Sequence, residues 1–285
     1  RIIVRGPRPA RHRPFAGRCA APARFNGAMS TIAITGSASG IGAATRQRLQ
    51  AAGHQLIGLD LRGADIDADL STPAGRDEAG ARLLERCDGR LDGVVLCAGL
   101  GPQVSDATKI VEVNYHGVVA LLDALLPALQ RGSNPAAVVV SSVASTQMVW
   151  DKNPLGSALE AGDTQRWHAA LAAAGERAGH LAYAGSKNAV TVAVRRRVLA
   201  WAEAGVRLNT VAPGAVQTPL LQAGMADARY GKAIAEFLGP MGRRARPEEI
   251  AAAIAFLLGP DASYVHGAQL FIDGGVDAQT RPTAF

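Results

Sequence analysis

Cysteine is scarce in this sequence, with only Cys19, Cys87 and Cys97 among 285 residues. An odd count with no metal-ligand spacing excludes a disulfide framework and a cysteine metal centre. Cys97 falls in an apolar run and Cys87 near a helix end, so both read as small buried residues of a reducing, cytoplasmic compartment. No apolar run reaches bilayer length, so no membrane span is expected. There is no internal repeat and no low-complexity linker, which points to one domain over residues 29–285.

Residues 1–28 hold no lysine, no acid and no apolar stretch of the secretory kind. They do hold seven arginines, at positions 1, 5, 8, 11, 13, 18 and 24. The formal charge of +6 comes from them, because the rest of the chain has 23 basic and 24 acidic residues. The basicity therefore says nothing about what the folded body binds, and no nucleic-acid partner is expected. The segment reads as an upstream or expression-derived extension before Met29, in preference to an organelle-targeting peptide. Either way it is expected to be disordered.

After Met29 the pattern alternates strand and helix. Strands are expected at 31–35, 54–60, 91–99, 136–142, 206–213 and 269–275, with a short third strand ending at Asp69-Leu70. Helices are expected at 40–52, from Ser71 to about 87, and at 106–130, 183–204 and 246–258. Such alternation implies right-handed crossovers and an α/β fold with a doubly wound parallel sheet, a Rossmann fold.

Directly after the first strand runs Thr35-Gly36-Ser37-Ala38-Ser39-Gly40-Ile41-Gly42, opening a helix. A pyrophosphate needs approachable backbone N–H groups and a helix N-terminus, and glycines permit both. Gly36, Ser39, Gly40, Ile41 and Gly42 are thus expected to hold a dinucleotide. Asp60 ends the next strand, 24 residues after Gly36, where a carboxylate accepts from the ribose hydroxyls and repels the extra phosphate of NADP. NAD is the expected cofactor, with Arg62 nearby leaving NADP as the lesser alternative. Leu61, Asp69, Leu70, Gly99 and Val216 are counted with the cofactor contacts, and no metal site is expected.

Tyr183 and Lys187 stand four apart, which places them on one helix face. An ammonium beside a phenol favours the phenolate and lowers its pKa, as general acid/base work needs. The pair alone is common. In the same chain stand Val113-Asn114 in the long helix, Ser141-Ser142 ending a buried strand, and Pro213-Gly214 with Thr218 beyond.

Together with the glycine loop, these residues resemble the short-chain dehydrogenase/reductase family over residues 30–275. The segments AGHQLIGLD, VVLCAGLGPQ, VVVSSVAS, DKNPL, LAYAGSKNA and RPTAF carry a narrower resemblance, to its hydroxysteroid dehydrogenase/carbonyl reductase branch. The resemblance implies that Tyr183 exchanges a proton with the substrate oxygen and Ser142 hydrogen-bonds it. It also implies that Lys187 tunes Tyr183 and holds the nicotinamide ribose, that Asn114 anchors a water-linked proton path, and that Thr218 binds the carboxamide. Ser141 is read as structural.

The chain departs from the family pattern twice. Leu96-Cys97-Ala98-Gly99 replaces the usual Asn-Asn-Ala-Gly, and 41 positions rather than roughly a dozen separate Ser142 from Tyr183. The extra segment, about 147–180, reads as short helices beside the 183–204 helix, where it would block a tetramer and leave a homodimer. Pro219, Leu220, Leu221 and Met225, with Met148 and Trp150, are candidate walls of an apolar substrate slot. The expected reaction is interconversion of 3α-hydroxysteroids and 3-oxo-steroids, or other small apolar alcohols and carbonyl compounds. The alternatives are an aromatic alcohol such as coniferyl alcohol as substrate, and a catalytically idle NAD-binding regulator.

Overall fold

The computed structural model describes residues 29–284; Cys19 and the expected extension 1–28 lie outside them. Strand β1 (Thr31–Thr35) leads into α1 (Gly40–Ala51), β2 (Gln55–Asp60), the short β3 (Ile66–Asp67), α2 (Pro73–Arg86) and β4 (Gly93–Leu96). One long helix follows in three parts: α3 (Ala107–Val111), a π-helical turn (Glu112–His116) and α4 (Gly117–Leu129). Beyond β5 (Ala136–Val140) come α5 (Gly156–Glu160), α6 (Thr164–Ala174), α7 (Ala178–Arg196) and α8 (Val198–Glu203). The chain ends through β6 (Arg207–Pro213), α9 (Pro219–Met225), α10 (Gly231–Glu236), α11 (Pro247–Leu258), β7 (Gln269–Ile272) and α12 (Val276–Thr280).

All seven strands pair in parallel, in the order β3-β2-β1-β4-β5-β6-β7. This is the doubly wound sheet that the alternating pattern predicts. Strands β4 and β5 are buried throughout, because helices cover both faces and leave no wet side. Ile57, Leu83, Val94, Leu121, Leu125 and Val190 pack on one face, Ile34, Leu49, Val138, Ile250 and Ile254 on the other. Strand order reverses between β1 and β4, so their C-terminal ends frame a crevice of the kind that binds ligands.

Local chemistry fixes several helix starts. The Thr72 hydroxyl accepts from Gly75 N at 3.0 Å with Pro73 in the first turn, and Asp106 accepts from Lys109 N at 3.2 Å. At the far end of α11, Arg207 donates to the carbonyls of Leu257, Leu258, Gly259 and Ala262 at 2.6 to 3.3 Å. One buried guanidinium thus satisfies carbonyls that a helix terminus leaves unpaired.

Several boundaries differ from the sequence reading. Strands β4, β5 and β7 stop two or three residues early, because the chain turns out into the crevice after Leu96, Val140 and Ile272. Strand β3 ends at Asp67, so Asp69 and Leu70 lie in the turn before α2. The last long helix begins at Ala178 rather than Tyr183, since Gly175, at φ +53°, ends α6 and restarts the chain in a tight turn. It also breaks at Arg197, where α8 begins. Against the expectation, residues 107–129 match a membrane span in length and hydropathy. More than half of that stretch is buried within the fold, so its apolarity is that of a core helix.

The insert forms α5 and α6 as the composition predicts. Leu155, Leu159, Trp167 and Leu171 are buried in the same core as Val190 and Val194 of α7.

Candidate active site

Strand β1 delivers the chain into the glycine loop. Gly36 turns at φ +68°, and a Cβ there would stand 2.8 Å from Ala98 N. A Cβ at Gly42 would run into the carbonyl oxygen of Gly36. Gly40, at φ +51°, faces the Thr218 side chain, 3.1 Å from where its Cβ would be. Glycine is needed at Gly36 and Gly42 for backbones to meet this closely, and at Gly36 and Gly40 for the positive φ. Ser39, at the N-cap of α1, makes no side-chain cap bond, so the first-turn N–H groups remain available to an anion. A cradle that a Cβ would fill, ending in an open helix N-terminus, fits a dinucleotide pyrophosphate.

Asp60 is held against this loop. Its Oδ2 accepts from Ala38 N at 2.9 Å and its Oδ1 from Leu61 N at 2.7 Å. Asp69 accepts from both Ser71 N and Ser71 Oγ, which hold its carboxyl below the usual range. Asp60, Leu61, Asp69, Leu70, Gly36, Ser39, Gly40, Ile41, Gly42, Gly99, Val216 and Thr218 all line one cleft of ≈ 300 Å³. Ser142, Tyr183 and Lys187 line the same cleft. Asn114 does not, being fully buried beneath it.

Tyr183 and Lys187 sit one turn apart on α7. Lys187 is 5% exposed, donates from Nζ to Val140 O at 2.8 Å, and is lowered by burial to about 8. Burial pushes the Tyr183 phenol up, and the Ser142 hydroxyl opposes that. Where a lysine neighbour is expected to lower this phenol, burial raises it instead, and the ammonium donates to the β5 backbone at Val140 O. A phenol held protonated beside a serine hydroxyl is suited to donate a proton to a carbonyl oxygen.

Asn114 lies in the π-helical turn beneath the cleft floor. Its Oδ1 accepts from Leu100 N at 2.8 Å and its Nδ2 donates to Leu100 O at 2.9 Å. A Cβ on Gly99 would lie 3.2 Å from Asn114 Oδ1 and 3.4 Å from Lys187 Nζ, so Gly99 leaves room for both polar ends. Ser141 turns away from the cleft chemistry: its Oγ donates to Lys187 O at 3.1 Å and lies 2.8 Å from Thr191 Oγ1. That is the structural role read for it.

The wall beyond Thr218 is α9. The Thr218 hydroxyl caps it by accepting from Leu221 N at 3.2 Å, and Pro219, Leu220 and Leu221 line the cleft. Met225, Met148 and Trp150 are not cleft residues. Trp150 lies against Gly156 and under the Arg196 guanidinium, 5.5 Å away, on the insert's own side of α7.

The sequence reading missed Thr35. Its Oγ1 accepts from Cys97 N and Ala98 N, each at 3.1 Å, and ties the glycine loop to the β4 exit. Cys97 is itself a cleft residue, not a strand residue, and burial pushes its thiol up to about 12. The only hint was that Leu96-Cys97-Ala98-Gly99 stands where the family pattern has Asn-Asn-Ala-Gly. Lys109 also lines the cleft and interacts with the Asp69 charge, a pairing across 40 positions with no local signature.

Comparison with known proteins places the chain among enzymes of this fold. Residues 30–158 match the short chain dehydrogenase family and residues 168–277 the enoyl-(acyl carrier protein) reductase family. The chain is 62% identical over 257 residues to the 3-alpha-hydroxysteroid dehydrogenase/carbonyl reductase of Comamonas testosteroni, covering 90% of this chain and all of that protein. It is 32% identical to a coniferyl-alcohol dehydrogenase of Pseudomonas sp., covering 86% of this chain and 95% of that one. The crystal structure of the 3-alpha-hydroxysteroid dehydrogenase from Pseudomonas sp. B-0831, complexed with NADH, is 56% identical. It superposes with a TM-score of 0.85 over 90% of this chain and the whole of that one.

Proposed function

This chain belongs to the short-chain dehydrogenase family of oxidoreductases, and from that premise we propose that it interconverts 3α-hydroxysteroids and 3-oxo-steroids, and other apolar alcohols and ketones, with NAD(H). The observation that carries the reading is the meeting of Tyr183, Ser142 and Lys187 in one cleft with the glycine loop and Asp60.

In this reading the first turn of α1 and the glycine backbone hold the pyrophosphate, and Asp60 accepts from the adenosine ribose hydroxyls. Lys187 has three N–H donors and gives one to Val140 O, which leaves two for the nicotinamide ribose. Thr218 takes the carboxamide. When bound, the nicotinamide supplies or accepts the hydride. Tyr183 gives its phenolic proton to the ketone oxygen in reduction and takes one from the alcohol in oxidation. Ser142 donates a hydrogen bond to that oxygen and holds it beside the phenol. Asn114, at the Leu100 main chain beside Gly99, orders the route by which Lys187 exchanges protons with solvent. Leu220, Leu221 and Pro219 offer the apolar wall against which a ring system lies.

An aromatic alcohol is the second reading, favoured by the 32% identity to a coniferyl-alcohol dehydrogenase. The 62% identity to a hydroxysteroid dehydrogenase weighs more heavily. A binding-only regulator would not need Asn114, Ser142, Tyr183 and Lys187 together. Free Cys87 and Cys97 support a reducing, cytoplasmic setting.

A panel of androsterone-type steroids, aromatic alcohols and simple ketones, followed by nicotinamide absorbance with NAD and NADP, tests the reading. Steroid turnover with NAD is the expected result. Failure of every steroid alongside good turnover of aromatic alcohols would reject it in favour of the second.

A further inference from the structure

We propose that the insert between β5 and α7 braces the π-helical turn that carries Asn114, and that Trp167 is the positioning residue through which it acts. The proposal rests on the reading of Asn114, Lys187 and Tyr183 as one proton-handling unit.

A π turn is uncommon and persists where surrounding contacts hold it. Glu112–His116 is gripped from two sides. On one side Arg76 of α2 donates to Glu112 Oε2 at 2.8 Å and to Leu70 O at 3.2 Å. On the other, the His116 ring lies 5.9 Å from the Trp167 indole of α6 and packs edge-on against Tyr115 at 5.2 Å. Trp167 is held in turn by the edge-on His168 ring at 3.9 Å and is 1% exposed. Its Nε1 has no hydrogen-bond partner among the described residues, so the indole contributes ring contact alone.

Asn114 sits at the centre of the gripped turn, two residues from each anchor. Its two bonds to Leu100 pass any shift of the turn to the loop at Gly99, whose Cα faces both Asn114 Oδ1 and Lys187 Nζ. A misplacement of about 1 Å at a catalytic group costs on the order of a hundredfold in rate, so a partial loosening reads as roughly tenfold. If Trp167 were core filling alone, its loss would lower stability and leave the pH dependence of turnover untouched.

The test measures ketone reduction and alcohol oxidation with NAD(H) across pH, using the full chain. Trp167→Ala is expected to lower kcat about tenfold with NADH affinity unchanged. Its pH profile is expected to move in the same sense as that of Asn114→Ala. Trp167→Phe keeps the ring and is expected to restore both. Leu159→Ala, in the buried core of α5, is expected to lower the melting temperature while keeping the wild-type kcat and pH profile. Should Trp167→Ala not fold, His116→Ala removes the other ring of the same contact and reads the same change.

A slow Asn114→Ala beside a Trp167→Ala with wild-type kcat and pH profile would overturn the brace alone. So would a Leu159→Ala that matches Trp167→Ala in both readouts. A fully active Asn114→Ala would overturn the assignment of Asn114 itself, and the brace with it.

Discussion

Lys187 donates from Nζ to the backbone carbonyl oxygen of Val140 at 2.8 Å, which ties α7 to the last residue of β5. Tyr183 stands one turn before Lys187, and Ser142 stands two residues beyond Val140. This single bond therefore sets the phenol and the serine hydroxyl in register across two elements that are 47 positions apart. Met in place of Lys187 loses that register along with the charge.

The buried lysine also leaves a mark on stability. Its pKa falls from 10.5 to about 8 because burial penalises the charged form. Between those values the unfolded chain binds a proton that the folded chain has released, so this group makes stability rise with pH across that window. Thermal melts should show the wild type gaining on Lys187→Met from pH 8 to 10. A constant difference between the two would contradict this.

Asp60 is fixed by Ala38 N and Leu61 N at the end of β2, and its charge faces the cleft. Asp60→Ser removes charge-assisted acceptors and a repulsion toward a ribose phosphate. Catalytic efficiency with NADH should fall about 10- to 100-fold, while that with NADPH rises. Steady-state kinetics with both cofactors reads the ratio, and an unchanged ratio would refute the role.

Arg207 serves the fold and not the chemistry. Replacing it with Met strands up to four carbonyls at the end of α11 and in the turn after it, at a cost of about 2–4 kcal/mol. Denaturant titration should show that loss with NADH affinity intact. A variant as stable as wild type would show that the carbonyls find other partners.

Leu155, Leu159, Trp167 and Leu171 of α5 and α6 share a buried core with Val190 and Val194 of α7, and the prediction is that this cover keeps α7 from pairing in a tetramer. Light scattering should give the mass of two chains. A tetramer built on α7 would contradict the prediction.

The readable parts of this chain were those whose chemistry is local. Gly36, Gly40 and Gly42 announce a loop because close backbone or a positive φ disfavours any other residue, and Tyr183 with Lys187 announces a shared face by spacing alone. The alternation of β-rich and helical runs was enough for the sheet. What stayed hidden depends on distant partners. The π turn at Asn114 reads as plain helix until Arg76 and Trp167 are seen on its two sides. Thr35 looks like a strand residue until its hydroxyl meets Cys97 N and Ala98 N. Trp150 reads as a substrate wall, but its ring packs on Gly156 and the Arg196 guanidinium and not in the cleft. The Tyr183 phenol reads as lowered from its spacing to a lysine, but its burial, which the spacing does not show, pushes it up.

The most direct measurement is the turnover of Tyr183→Phe with an androsterone-type substrate, alongside NADH binding by fluorescence. If Tyr183 is the acid/base of this cleft, the variant binds NADH as tightly as wild type and has no measurable turnover. A Tyr183→Phe enzyme that still interconverts the alcohol and the ketone would contradict it.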